Sequence, residues 1–360
     1  MLEWLKGKVK QRLEAGQRVV VGKALGSHFA VLEQRKVGIP SIAERLANYV
    51  VDGDDQSALN DLKSRKSGMQ GYVFGGSRGR FSQGLTGLLK LMPDDPELYA
   101  RLATVYDIAS DVGHPRMYSP LPGLQGGHGW LTAFLVEVSD AGQKNGQYFS
   151  TDLLAAMAVA QQADPAILVR GALIVLDPQR KSMFSRWLQP PYKYFRCLSG
   201  FPELVSRFPT VVQEALHQSD ATARAYTLEA LFTLGISTAP FLEDITALSV
   251  SGSKEVREKA APLIQASLDS FRPFVEAIAT SGSSDERFHA VRLLGRIDGN
   301  ATRDFLASRL ESEKSPRSWR HLRRFWPKVQ ILMWTLLRSI IFAYRPFQVL
   351  RQKLRWMMLY

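Results

Sequence analysis

The chain has 360 residues, of which 45% are hydrophobic and 22% charged, with a single cysteine and a net charge of +12. That balance belongs to a folded globular chain with room for two or three domains or one extended array. One cysteine, Cys197, excludes an intramolecular disulfide and a multi-cysteine metal site, and fits a reducing, cytoplasmic compartment.

The opening MLEWLKGKVKQRLEAGQ carries charges through its first turns and has no continuous apolar run, which is not the pattern of a secretory signal. Strand signals are scarce. VVVGKALGSHFAVL (19–32) has a β-branched run, but it is short and isolated. Helix signals recur. Ser41 with Glu44 predicts a capping box ahead of Ile42, Leu46 and Val50. Asp95-Pro96 sets an N-cap and a first-turn proline before Leu98, Leu102, Val105 and Ile108. Ser150 or Thr151 caps DLLAAMAVAQQA, and Asp164-Pro165 starts a helix expected to run through Leu176.

Long Gly-rich connections lie between these elements. GMQGYVFGGSRGRFSQG (68–84) and GHPRMYSPLPGLQGGHGW (113–130) are the clearest, and their Gly and Pro content argues against continuous helix. QPPYKYF, around Pro190 and Pro191, is a further breaker ahead of the clearest repeats. The sequence thus divides into an irregular helical region with Gly-rich loops (1–150), helical repeats (151–317, clearest over 209–317) and a basic, Trp-rich tail (318–360).

The repeats are read from a register. Arg224, Arg257 and Arg287 are separated by 33 and 30 residues, and Arg317 follows another 30 on. Each begins a helical pattern after a Ser/Asp/Gly turn: SDATAR, SGSKEVR, SSDER. Small residues follow, Ala225 and Ala230, then Ala260 and Ala261, then Ala290. A second helix comes after each: PFLEDITAL (240–248), PFVEAIA (273–279) and DFLASRL (304–310). Self-similarity in both helices at one period predicts stacked hairpins, each covering the apolar face of its neighbour. The expected role of the arginines is structural, capping or pairing within the stack.

The pattern VRxxA…LG…FLxxxL, best seen in HAVRLLGRIDGNATRDFLASRLESEKSPR (289–317), resembles the short HEAT-like repeats of phycobilin-lyase-type proteins. The resemblance implies an all-α fold in which an irregular helical N-terminal region leads into a HEAT-like α-solenoid and then a basic aromatic helical tail. It barely constrains function, because the repeat is reused as a binding scaffold. The order of elements, and no motif, also resembles the N-terminal part of large bacterial proteins of the domain-of-unknown-function 4132, or molybdate-regulator-like, family.

Candidate chemistry is thin. GGSRGR (75–80) has glycines and arginines suited to a phosphate but lacks the lysine and spacing of a P-loop. Of the six histidines, no two stand four apart and none forms HExxH; His114 and His128 share one Gly-rich loop. His289 falls on a repeat helix as a packing or edge residue. Cys197, in FRCLSG, reads as a buried small apolar group. Asp52, Asp54 and Asp55 resemble part of a calcium loop, but the closing Glu is missing, which leaves an inter-helix turn. No catalytic residue, metal site or cofactor is assigned. An enzymatic alternative would place its site in the loops 71–84 and 113–130, around Arg78, Arg80, His114 and His128.

The charge is concentrated in the tail. From Lys314 onward there are eleven Lys and Arg and no Asp or Glu, so residues 1–313 carry only +1. Residues 318–360 hold four of the seven tryptophans. Trp319, Leu322 and Trp326 fall on one side of a helical wheel, with Arg320, Arg323, Arg324 and Lys328 on the other, which suits an anionic membrane surface. VQILMWTLLRSIIFAY (329–344) as a helix reaches only about 24 Å against the ~30 Å of a bilayer core, and carries Arg338, so it favours lying at the interface over crossing. An out-of-frame or truncated end, or part of a larger protein, is the competing expectation; nucleic acid is the least favoured partner. The leading expectation is a non-enzymatic repeat scaffold for a protein partner, cytoplasmic and peripheral at the membrane through its tail.

Overall fold

Val21, Leu25, Phe29 and Leu32 are all buried, and their spacing marks one face of a helix. That burial outweighs the β-branched run before it: in the computed structural model Ala15–Gln34 is one helix, α1. The structure describes residues 15–34, 38–64, 78–110, 128–145, 149–175, 190–296 and 300–312. The fold is all-α; the strands among the described residues form one two-residue parallel pair, Phe149–Ser150 (β1) against Leu198–Ser199 (β2). Among the described residues no helix is long and apolar enough to cross a membrane. There are two compact units, Met1–Phe241 and Leu242–Tyr360.

In the first unit α1 is followed by α2 (Ile42–Asp52), α3 (Gln56–Ser64), α4 (Arg78–Leu91), α5 (Pro96–Ser110) and α6 (Gly129–Asn145). Then come α7 (Thr151–Ala160), α8 (Ala166–Leu173), α9 (Tyr192–Phe195), α10 (Phe201–Val205), α11 (Pro209–Leu216) and α12 (Ala221–Thr233). Helix α1 packs on α2 and α4, α4 on α6, and α5 on α2, α6 and α7. Tyr99, Phe134 and Phe149, all buried, meet edge to face, with ring centroids 5.2 to 6.2 Å apart.

The helix ends show which local signals survive folding. Asp95 caps α5, accepting from the amides of Glu97 at 2.9 Å and Leu98 at 3.3 Å. Ser150 caps α7 through the Leu153 amide. The capping box expected at Ser41 does not form. Ser41 sits in the left-handed region at φ 50, where its hydroxyl makes no cap bond. Glu33 of α1 takes the Ala43 amide instead, at 3.2 Å. Helix α8 stops at Leu173 and not at Leu176, because Ile174 turns extended. The freed carbonyls of Ala172 and Leu173 receive the hydroxyls of Tyr226 at 2.7 Å and Thr227 at 3.0 Å, both from α12. Likewise the carbonyls of Val50 and Val51, at the end of α2, accept from Arg101 of α5 at 2.7 and 3.0 Å.

The second unit holds α13 (Leu242–Ser249), α14 (Lys254–Ala266), α15 (Leu268–Ser281), α16 (Ser284–Leu294) and α17 (Asn300–Ser312). Each packs on the next, and α13 also reaches α15. Helix α15 begins at Leu268, so Pro273 lies inside it and not at its start. A proline there removes one ladder bond. The helix persists because Phe271, Val275 and Ala279, four apart, are fully buried, and a buried aromatic of this size contributes about 1.5–3 kcal/mol. Arg272 ties α15 to α17 by donating to Thr302 at 3.0 Å, while Glu276 holds its other side at 2.7 Å.

Candidate functional site

The residues singled out for a loop site are placed unevenly. Arg78 and Arg80 stand in the first turn of α4, so part of the Gly-rich stretch 68–84 is helical. His128 directly precedes α6, and its Nδ1 is buried without a hydrogen-bond partner. Beside it, the carboxylate of Asp107 lies so close to Gly129 that a β-carbon there would overlap it. Helices α4 and α6 pack together. His114 lies outside the described residues, as do Arg317 and the tail residues Trp319, Arg320, Arg323, Arg324, Trp326 and Lys328.

An internal polar cluster in the first unit was not singled out in the sequence. His28 of α1, itself part-buried, is hydrogen-bonded through Nε2 to the hydroxyl of Tyr106 of α5 at 2.7 Å. Tyr106 is 1% exposed and Glu137 of α6, within electrostatic range of it, is 6% exposed. The His28 ring stands edge-on to Phe29 at 5.4 Å. Burial lowers the imidazole to about 4 and raises the Tyr106 phenol well above its ordinary range. Both groups are therefore uncharged at neutral pH, and neither is matched to proton transfer there. The sequence signal for it is spacing: His28 lies three after Leu25 and four before Leu32, flanking the buried stripe of a helix.

The acidic stretch VDGDDQS holds side chains of the protein itself. Gly53, at φ 81, closes α2 with its amide on the Tyr49 carbonyl. Asp52 pairs with Arg18 at 2.7 Å. Arg45 bridges Asp55 and Asp61, each at 2.8 Å, and Ser57 donates to Asp55 as well. These bonds, the Arg45 guanidinium first, hold the Asp55 carboxyl down to about 2. Among the described residues no group of three or more His, Cys, Asp or Glu is placed to hold a metal ion. Cys197 is buried, with its thiol 2.9 Å from the Tyr194 carbonyl, and burial pushes it up to about 12. That is the state of an inert thiol.

Arg224, Arg257 and Arg287 share one local geometry. Each stands four residues after an N-cap: Asp220, Ser253 and Ser283 accept from the amides of Ala223, Val256 and Glu286. Each arginine then reaches back over the cap to a carbonyl of the preceding loop. Arg224 meets Gln218 at 2.7 Å and Ser219 at 3.0 Å, Arg257 meets Ser251 at 2.5 Å, and Arg287 meets Gly282 at 2.8 Å. The chemistry is that of a charge-assisted hook on a loop. At Ser283 the cap is completed by Glu286, which accepts from the Ser283 amide at 2.8 Å.

An open groove of about 650 Å³ runs between α1 and α2. Small residues such as Gly22, Gly26 and Ala47 line it together with Arg18, Lys23 and Glu44. Its mixed charges and open form select no ligand chemistry.

No family model matches this chain, no curated protein matches it, and no solved structure matches it.

Proposed function

We propose that the chain is a helical-repeat scaffold whose stacked hairpins, of HEAT-like type, present a surface to a protein partner. The observation that carries this reading is the recurrent arginine hook at Arg224, Arg257 and Arg287, at one position relative to its helix cap each time. Such local equivalence at a near-constant spacing is the signature of a repeated supersecondary unit. The stepwise packing of α13 to α17 agrees with it. Repeat arrays expose extended surfaces and rarely carry chemistry of their own. The test is capture by the intact chain followed by cross-linking mass spectrometry. Cross-links from one recurring partner should map to residues 221–312. If folded chain at saturating concentration captures nothing specific, or cross-links fall elsewhere, the scaffold reading fails.

A second attachment, to an anionic bilayer surface, rests on composition. Glu313 is the last acidic residue of the chain, and the run of eleven basic residues starts at Lys314. The tryptophans among them suit the interfacial layer, and the basic side chains suit its headgroups. Sedimentation with anionic vesicles tests this attachment. Binding should be lost when residues 318–360 are deleted, and unchanged binding by the shortened chain would refute it.

A further inference from the structure

His28 of α1 and Tyr106 of α5 meet within the first unit, and Glu137 of α6 lies within electrostatic range of Tyr106. The imidazole is held on two sides. Its Nε2 is 2.7 Å from the Tyr106 hydroxyl. Its Nδ1 faces α4 at Gly84, where a β-carbon would stand only 3.1 Å away. Glycine at that point lets the α4 backbone close over the ring. Glu137 on α6 and Tyr99 on α5 act electrostatically on Tyr106, the Phe29 ring of α1 stands edge-on to the imidazole, and Gly84 of α4 faces its Nδ1.

We propose that the His28–Tyr106 hydrogen bond is an acid-sensitive latch that holds α1 in place, and that acidification releases α1 before the rest of the first unit unfolds. A protonated imidazole turns both ring nitrogens into donors and brings a charge into a closely packed place between the Tyr106 hydroxyl and the α4 backbone at Gly84. Opening α1 returns the ring to water, where its ordinary value of 6.5 applies, against about 4 when buried. The opening equilibrium should therefore rise about thirty-fold by about pH 5.

The test is hydrogen exchange on the intact chain at about pH 7 and about pH 5, corrected for intrinsic rates, beside the variant His28→Gln. Glutamine can still bond to Tyr106 but does not titrate. Amides of residues 15–34 should lose protection on acidification in the wild type and keep it in the variant. Retained protection in the wild type, or equal loss in the variant, overturns the proposal. If the variant does not fold, the wild type decides alone by NMR. The His28 ring should protonate together with the loss of protection, and protonation with α1 still protected overturns the latch.

Discussion

Arg224, Arg257 and Arg287 each commit a charged side chain to a loop carbonyl, and this explains why an arginine recurs at that position. A guanidinium reaches back over the cap while keeping part of its surface in water. Replacing Arg257 by alanine leaves the Ser251 carbonyl without that donor. The expected loss is about 1 kcal/mol, at the low end for a charge-assisted bond because the site is only part-buried. Urea unfolding measures it, and an unchanged midpoint would show that the hook does not hold the loop. Gly84 gives a second test. Alanine in a helix interior normally gains about 0.5–1 kcal/mol over glycine. Gly87 on the same helix has open space around it, so Gly87→Ala should show the full gain. Gly84→Ala should not, since the new methyl meets the His28 ring at 3.1 Å. Equal melting temperatures for the two variants would contradict the close approach.

At the scale of elements, the helix ends divide into those decided locally and those decided by a neighbour. Asp95, Ser150, Asp220, Ser253 and Ser283 cap their own helices, and each is legible as a Ser or Asp at the head of a helical pattern. Glu33, Arg101, Tyr226 and Thr227 cap helices other than their own. No local pattern announces such a cap, because the donor or acceptor arrives only with packing. Asp220→Ala should cost about 1 kcal/mol by loss of two amide bonds, read from the thermal midpoint. A cost near zero would place the start of α12 under tertiary control instead.

For the whole molecule, acid should act in two windows. His28 has its folded value depressed to about 4 from 6.5. Its contribution is therefore present above about 6.5 and lost as pH falls toward 4, because the unfolded chain takes up the proton first. The full loss is about 3 kcal/mol. Asp55 is depressed from 3.8 to about 2. Its contribution is present above 3.8 and lost as pH falls through 2. Stability measured against pH should thus decline first in the upper window, and His28→Gln should remove that decline while leaving the lower one. A single decline below about pH 4 in both proteins would contradict this assignment.

The sequence by itself determined the helical class, the place of Arg224, Arg257 and Arg287 after their caps, and the local caps themselves, since a helix signal or a cap depends on residues within a turn or two of one another. Tertiary structure decided the rest. It made a helix of the β-branched run before Leu25 by burying one side of it, and it withdrew the cap at Ser41 by supplying Glu33. It also joined His28 to Tyr106 across 78 positions of chain. A side chain's burial and its distant partners are set by how helices pack, and spacing within one segment carries no record of that.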